Sequence, residues 1–184
     1  MRRIALSVAL VCALSLAGAS AVSAQDEGFT KNTTDVGPVI GLGGIGGAGL
    51  SVGGRFEKGF KQVGNGVLGI GVGVDWYHFD NSFTGRSDYT FTYLPVAATV
   101  NYHFRLDNRK IDPFVGAGLG YNRVSVSGPA CLFLGVDYCS GHDSGVYFVG
   151  HAGIRYYWRP KMALYADAGA GSGALHVGLM FKLK

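Results

Sequence analysis

The chain carries 5 His, 12 acidic and 16 basic side chains, the groups able to move protons, hold a metal or activate a nucleophile. Gly41-Leu42-Gly43-Gly44-Ile45-Gly46 has the GxGxxG spacing with which a strand-to-helix turn cradles a dinucleotide pyrophosphate. That fingerprint needs a helix behind it and an acidic residue about 20 positions on. Lys61 and Gln62 stand there instead, and a strand pattern continues, so the glycines read as a tight turn and thin packing. His142-Asp143-Ser144 supplies the residue types of an acyl-transfer triad, but neighbours in an irregular loop do not orient one another as a triad must. His78, beside Asp80 and Ser82, is the other place of this kind. Neither amounts to a catalytic centre, and the expectation is a chain that is not an enzyme.

The more telling titratable groups are those that recur on one side of a two-residue period. From Gly145 to Trp158 the even positions are Val146, Phe148, Gly150, Ala152, Ile154, Tyr156 and Trp158, whereas the odd ones include His151, Arg155 and Tyr157. Such alternation belongs to a strand with unlike faces. Leu68 to Trp76, Leu94 to Phe104, Leu175 to Leu183, Ile111 to Tyr121 and Leu50 to Glu57 repeat the split. The shorter segments Pro38 to Gly44 and Met162 to Gly169 complete a set of eight. The less apolar side is mostly Gly, Ala and Thr, and it carries Arg55, Glu57, Asp75, Arg105, Asp112, His151, Arg155, Asp167 and His176.

In a soluble sandwich the apolar side would be the inside. Here the apolar side holds the bulky residues and the other the small and charged ones, the pattern of a transmembrane β-barrel with lipid outside. Small inward residues suit a narrow barrel filled by its own side chains. The fold class expected is therefore all-β, an eight-stranded antiparallel transmembrane β-barrel. Trp76, Tyr102, Phe104, Tyr156, Trp158 and Phe181 fall where interfacial aromatic girdles belong. Both charge signs are present inside, so pairing is expected to close the lumen, in preference to a proton relay through Asp167, His176 and His151. A hairpin at Ala170 to Gly173 sets Asp167 opposite His176, and Arg105 could meet Asp112 across an inner turn.

Composition and leader agree with an exported barrel. The 184 residues include 31 Gly and 5 Pro, with 48% hydrophobic, 12% aromatic and 15% charged, which excludes collagen-like repeats and a disordered tail. Arg2 and Arg3, the apolar Ile4 to Leu16 and the small residues of Val22-Ser23-Ala24 form a cleavable secretory signal. The expected division is a signal peptide over 1–24, a short segment over 25–35 and the barrel over 36–184. Loss of Arg2 and Arg3 lowers the formal charge from +4 to +2, too little to argue for nucleic acid. Cys12 lies in the leader, which leaves Cys131 and Cys139 as a pair expected to form a disulfide in an oxidising compartment. The His residues show no metal-ligand spacing with that pair, and no cofactor is expected. No apolar run of about 20 residues follows Ala24, so a membrane could be crossed only by strands.

Counting strands from an inner terminus puts the connections near 44–47, 80–88, 127–144 and 170–173 on the outer side. The two longest thus share the side on which such barrels carry long loops. Leu132-Phe133-Leu134-Gly135-Val136, between the cysteines, forms an apolar tip that either meets a membrane or partner or folds back over the barrel mouth.

Tyr93-Leu94-Pro95-Val96 leading to Asn101-Tyr102-His103-Phe104, the run Pro113 to Tyr121, and a last strand ending Phe181-Lys182-Leu183-Lys184 resemble the small outer-membrane β-barrels of Gram-negative bacteria, the porin-like group that includes OmpA- and OmpX-type proteins. The resemblance covers about Asp35 to Lys184, although Phe181 sits three residues short of the terminal Phe usual in the group. It implies residence in the bacterial outer membrane as a monomer, with membrane lipids and the barrel assembly machinery as partners. It also implies a role in envelope integrity, with loops 80–88 and 127–144 open to adhesion or an extracellular ligand. A small pore for ions or hydrophobic solutes is the alternative, and a lipid A-modifying enzyme the third.

Overall fold

The structure is a computed structural model that describes residues 28–45, 48–83, 87–127, 132–133, 136–137 and 144–183. The leader, Cys131, Cys139, His142 and Asp143 lie outside the described residues, and with them the expectations on cleavage and on the disulfide. The described residues form ten strands: β1 (Thr34–Ile45), β2 (Ala48–Val63), β3 (Gly66–Phe83), β4 (Ser87–Phe104), β5 (Ile111–Ser127), β6 (Leu132–Phe133), β7 (Val136–Asp137), β8 (Gly145–Arg159), β9 (Met162–Ala170) and β10 (Leu175–Lys182).

Eight of them close into one antiparallel barrel in the order β1-β10-β9-β8-β5-β4-β3-β2, with β6 and β7 pairing as a separate two-stranded ladder in the β5–β8 connection. Closure is made by β1 against β10, from Asp35 opposite Lys182 to Leu42 opposite Leu175. With every edge in a ladder, backbone polar groups find partners inside the wall, the condition for crossing hydrocarbon.

The alternation read in the sequence decides the faces. Val36, Ile40, Val52, Ile70, Val72, Val100, Val115, Leu119, Ile154, Leu164 and Val177 all expose their side chains outward. Glu57, Asp75, Asn101, His103, Asp112, Arg155, Asp167 and His176 are buried inside. Trp76, Phe104 and Tyr156 are exposed on the outer surface, and Tyr102, Trp158 and Phe181 are half-buried there. Five of these six aromatics close the inner ends of β4, β8 and β10, with the Tyr102 and Phe104 rings edge to face at 4.9 Å. Trp76 lies toward the outer part of β3, its ring stacked on His78 with centres 5.4 Å apart.

The wall is uneven. β3 and β4 run 18 residues each, whereas β9 and β10 have only 9 and 8. The β3–β4 connection accordingly shrinks to 84–86, so most of the 80–88 segment expected as a loop is strand. The β8–β9 ladder stops at Gly150 opposite Ala170, which leaves β8 residues 145–149 standing above the β9–β10 hairpin. Val146 and Phe148 on this stretch are 74% and 84% exposed, more than any other large apolar side chain among the described residues.

Candidate functional site

The site is the lumen, built by strands that each send alternate residues inward. Arg155 of β8 is its centre, with a side chain 1% exposed. Its register partner on β5 is Asp112, and Glu57 of β2 lies opposite Asp35 of β1, so the closed sheet converges three carboxylates on one guanidinium. Nη1 donates to Asp35 Oδ2 at 3.0 Å, Nη2 donates to Glu57 Oε2, and Asp112 Oδ2 lies 4.0 Å from Nη1. The guanidinium also lies 5.0 Å from the Phe29 ring centre, 5.3 Å from that of Phe114 and 5.9 Å from that of Tyr165. Carboxylates and aromatic faces thus hold the buried cation through its two terminal nitrogens, while Nε has no hydrogen-bond partner. Tyr157 completes the layer by donating to Asp35 Oδ2 at 2.8 Å.

From Glu57 the hydrogen bonds continue outward. His103 Nε2 meets Glu57 Oε1 at 2.7 Å, while its Nδ1 lies 3.0 Å from Asp112. Asn101 Nδ2 donates to Glu57 Oε1 at 2.8 Å, and Asn101 Oδ1 is 3.0 Å from His151 Nε2. Asn101 and His151 are separated by Gly116, the register partner of both. A Cβ on Gly116 would fall onto Asn101 Oδ1 and the His151 ring, so the missing side chain is the space in which the two meet. His151 Nδ1 then reaches Asp167 Oδ2 at 2.7 Å, and His176 Nδ1 reaches Asp167 Oδ1 at 2.9 Å. Arg55 and Asp75 form a two-pronged pair, with both bonds at 3.0 Å, and Asp75 Oδ2 is 3.7 Å from His176 Nε2.

Both ends of this column are covered. On the inner side Phe29, from the segment ahead of β1, stacks on His103 with ring centres 3.9 Å apart, while Lys182 Nζ donates to Gly28 O at 2.6 Å. On the outer side Gly173 of the β9–β10 hairpin is buried, and Tyr77 OH donates to the Ser172 carbonyl. Between them remains a cavity of about 40 Å³ bordered by Arg55, His151, Asp167 and His176. That is room for roughly two or three water molecules and not for a solute path.

Eight of the nine charges expected on the lumen face do line the lumen: Arg55, Glu57, Asp75, Asp112, His151, Arg155, Asp167 and His176. Asp167 stands opposite His176, as the short hairpin required. Arg105 departs from the expectation. β4 ends at Phe104, so Arg105 lies in the inner turn beside a small pocket with Phe29, and Asp112 takes His103 and Arg155 as partners in its place.

Sequence reasoning missed Asp35, Asn101, His103, Tyr157 and above all Phe29 as members of the network. Asn101 and His103 share the inward parity of β4, a signal that was present. Phe29 precedes the first strand, where no period exists to reveal it. His78 and Asp80 are engaged across the sheet, His78 Nδ1 with Thr92 Oγ1 at 3.2 Å and Asp80 Oδ1 accepting from Thr90 at 2.7 Å. Ser144 accepts from the Val124 amide at 3.1 Å.

Residues 9–175 match the family model described as the outer membrane protein beta-barrel domain. The chain belongs to this family. Its place is thus the bacterial outer membrane, and the long β5–β8 connection marks the outer side, where barrels of this kind carry their longer loops. Among solved structures, a de novo designed transmembrane β-barrel is similar at 20% identity and a TM-score of 0.55, over 85% of this chain and 99% of that one. The outer membrane protein OprG from Pseudomonas aeruginosa follows at 10% identity and 0.53, over 86% and 99%. Ail, the attachment invasion locus protein of Yersinia pestis, matches at 14% identity and 0.48, over 82% and 93%. These likenesses concern the fold. The search of curated proteins finds no match to this sequence.

Proposed function

We propose that this outer-membrane barrel is a closed structural protein of the envelope, monomeric and not an enzyme, which holds its outer connections at the cell surface for adhesion or ligand contact. The observation that carries this reading is the Arg155 cluster, which ties β1, β2, β5 and β8 together across the whole width of the lumen. A pore needs a continuous water path, and the two small cavities that border this cluster measure about 40 Å³ and about 20 Å³. The charged lumen groups bond chiefly to one another, Arg155 to Asp35 and Glu57, Arg55 to Asp75, and Asp167 to His151 and His176, and such mutual engagement supports a plug over a site that takes up substrate. Lipids of the outer membrane are the partners of the apolar outer face.

Planar-bilayer recording of the refolded protein tests the reading. No unitary current is expected at neutral pH, and regular single-channel steps would transfer the assignment to a small pore. Lipid A mass profiles from cells expressing the protein are expected to match those of control cells.

A further inference from the structure

The charges outside the lumen are sorted by side. On the side opposite the long β5–β8 connection, which faces the periplasm, every connection carries basic side chains. Lys31 precedes β1, and Lys58 and Lys61 lead into the β2–β3 turn. Arg109 and Lys110 stand in the β4–β5 turn, and Arg159 and Lys161 flank the β8–β9 turn. All of these are exposed, and Arg105 and Lys182 add to them half-buried. Asp107 is the one exposed acid on this side among the described residues. Asp26 and Glu27, just ahead of Gly28, lie outside the described residues, and with them counted the sequence balance here is still strongly basic. The outer strand ends and connections show the reverse, with Arg86 and Arg123 against Asp80, Asp88, Asp137 and Asp143.

The basic groups begin where the apolar face ends. Arg105 follows Phe104, Arg159 follows Trp158 and Lys182 follows Phe181. On β2 the exposed Lys58 falls between Phe56 and Phe60, which are 41% and 47% exposed on the face that meets lipid. Aromatic rings so placed mark the membrane interface. A Lys or Arg beside them lays its methylene stem on apolar surface and lifts its charge to the headgroups. In the order of the closed sheet, the β1–β10 seam and the β8–β9, β4–β5 and β2–β3 turns occupy successive corners of the inner rim. The charge is therefore a ring at headgroup depth and not a patch on one flank. A ring fits a surface that encircles the barrel, whereas a folded partner or a glycan strand would meet one sector of it.

We infer that this ring binds the phosphates of anionic phospholipids in the periplasmic leaflet. The inference rests on the reading that membrane lipids are the partners of the outer face, and it names the headgroup class and the side. Attraction between a basic rim and an anionic leaflet is electrostatic, so salt weakens it within a Debye length.

The chain has two tryptophans, Trp158 in the inner girdle and Trp76 toward the outer end of β3, so lipid brominated on its acyl chains can read each rim by fluorescence quenching. Trp76→Phe leaves Trp158 as the inner reporter, and Trp158→Phe leaves Trp76 as the outer one. Heat-modifiable gel migration first establishes that each variant has folded. In mixed phosphatidylglycerol and phosphatidylcholine vesicles at low salt, Trp158 is expected to report about a fivefold preference for phosphatidylglycerol. That ratio corresponds to about 1 kcal/mol, the share of one basic side chain near an anionic surface. It should fall toward unity at about 1 M salt, where the Debye length is only about 3 Å. Trp76 is expected to report a ratio near unity throughout. Adding Arg159→Gln and Lys161→Gln to the inner reporter keeps the side chains polar without their charge and should at least halve the preference.

Absence of quenching by brominated phosphatidylcholine would overturn the lipid-contact reading itself. Quenching without a phosphatidylglycerol preference at Trp158, or with an equal preference at Trp76, would leave that reading standing and overturn the ring. An unchanged preference in the Gln variant would overturn it as well. Sedimentation of the detergent-solubilised barrel with purified peptidoglycan, beside a Trp158 ratio near unity, would overturn it in favour of an anionic glycopeptide.

Discussion

The inner and outer halves of the lumen solve one problem with different chemistry. In the inner half a permanent cation, Arg155, sits between Asp35, Glu57 and Asp112 under the rings of Phe29 and Phe114. In the outer half the carboxylate of Asp167 is shared by two imidazoles, beside the Arg55–Asp75 pair and the small cavity. The first is built on a cation whose charge does not depend on pH. The second is built on two imidazoles around one carboxylate, which border space that water can fill. A permanent cation therefore anchors the barrel where the termini meet, and the imidazoles that share Asp167 lie toward the outer mouth.

The sharpest way to break this contrast is Arg155→Ala, which leaves three buried carboxylates facing one another. Removing one member of a buried ion cluster costs roughly 3–5 kcal/mol, so the urea midpoint of the refolded barrel should fall further than for any other single lumen change. Asp167→Ala comes next. It strips both His151 and His176 of their acceptor, and a loss of about 2–3 kcal/mol is expected, together with lower heat stability on gels. Unchanged migration and melting would show that the outer pairing contributes nothing.

Ile40→Arg probes the other face of the same wall. The side chain is 47% exposed to lipid, and a charge near the middle of the hydrocarbon costs about 2–4 kcal/mol, while the lumen and its conductance should be untouched. Tyr77→Phe removes the bond to the Ser172 carbonyl and should cost about 1 kcal/mol. Ser172→Ala keeps the carbonyl that accepts this bond, so a change below about 0.5 kcal/mol is expected in the same unfolding assay. Equal losses for the last two would place the contact on the serine hydroxyl.

The strand faces were legible because a two-residue period has only two outcomes, and a lipid exterior assigns the bulky side to one of them. This is why Leu164 and Val177 point out and Asp167 and His176 point in. The Asp167–His176 pair was legible too, because a short hairpin fixes its own register. Arg105 was misplaced because parity says which side a residue takes but not where a strand stops, and β4 stops one residue earlier. The Asn101–His151 link was hidden because it spans two ladders and depends on the absent side chain of Gly116 between them.

By itself the sequence determined a membrane-crossing antiparallel barrel, its eight strands, and which residues meet lipid and which meet the lumen, since alternation is a local property of an extended chain. Only the tertiary structure decided that Arg155 gathers Asp35 and Glu57 from strands about a hundred residues away, that Phe29 caps the inner end, and that the low β9–β10 hairpin folds Gly173 into the mouth. Those contacts are set by how far neighbouring strands are staggered as the sheet closes on itself. That stagger is a global quantity that no window of residues contains.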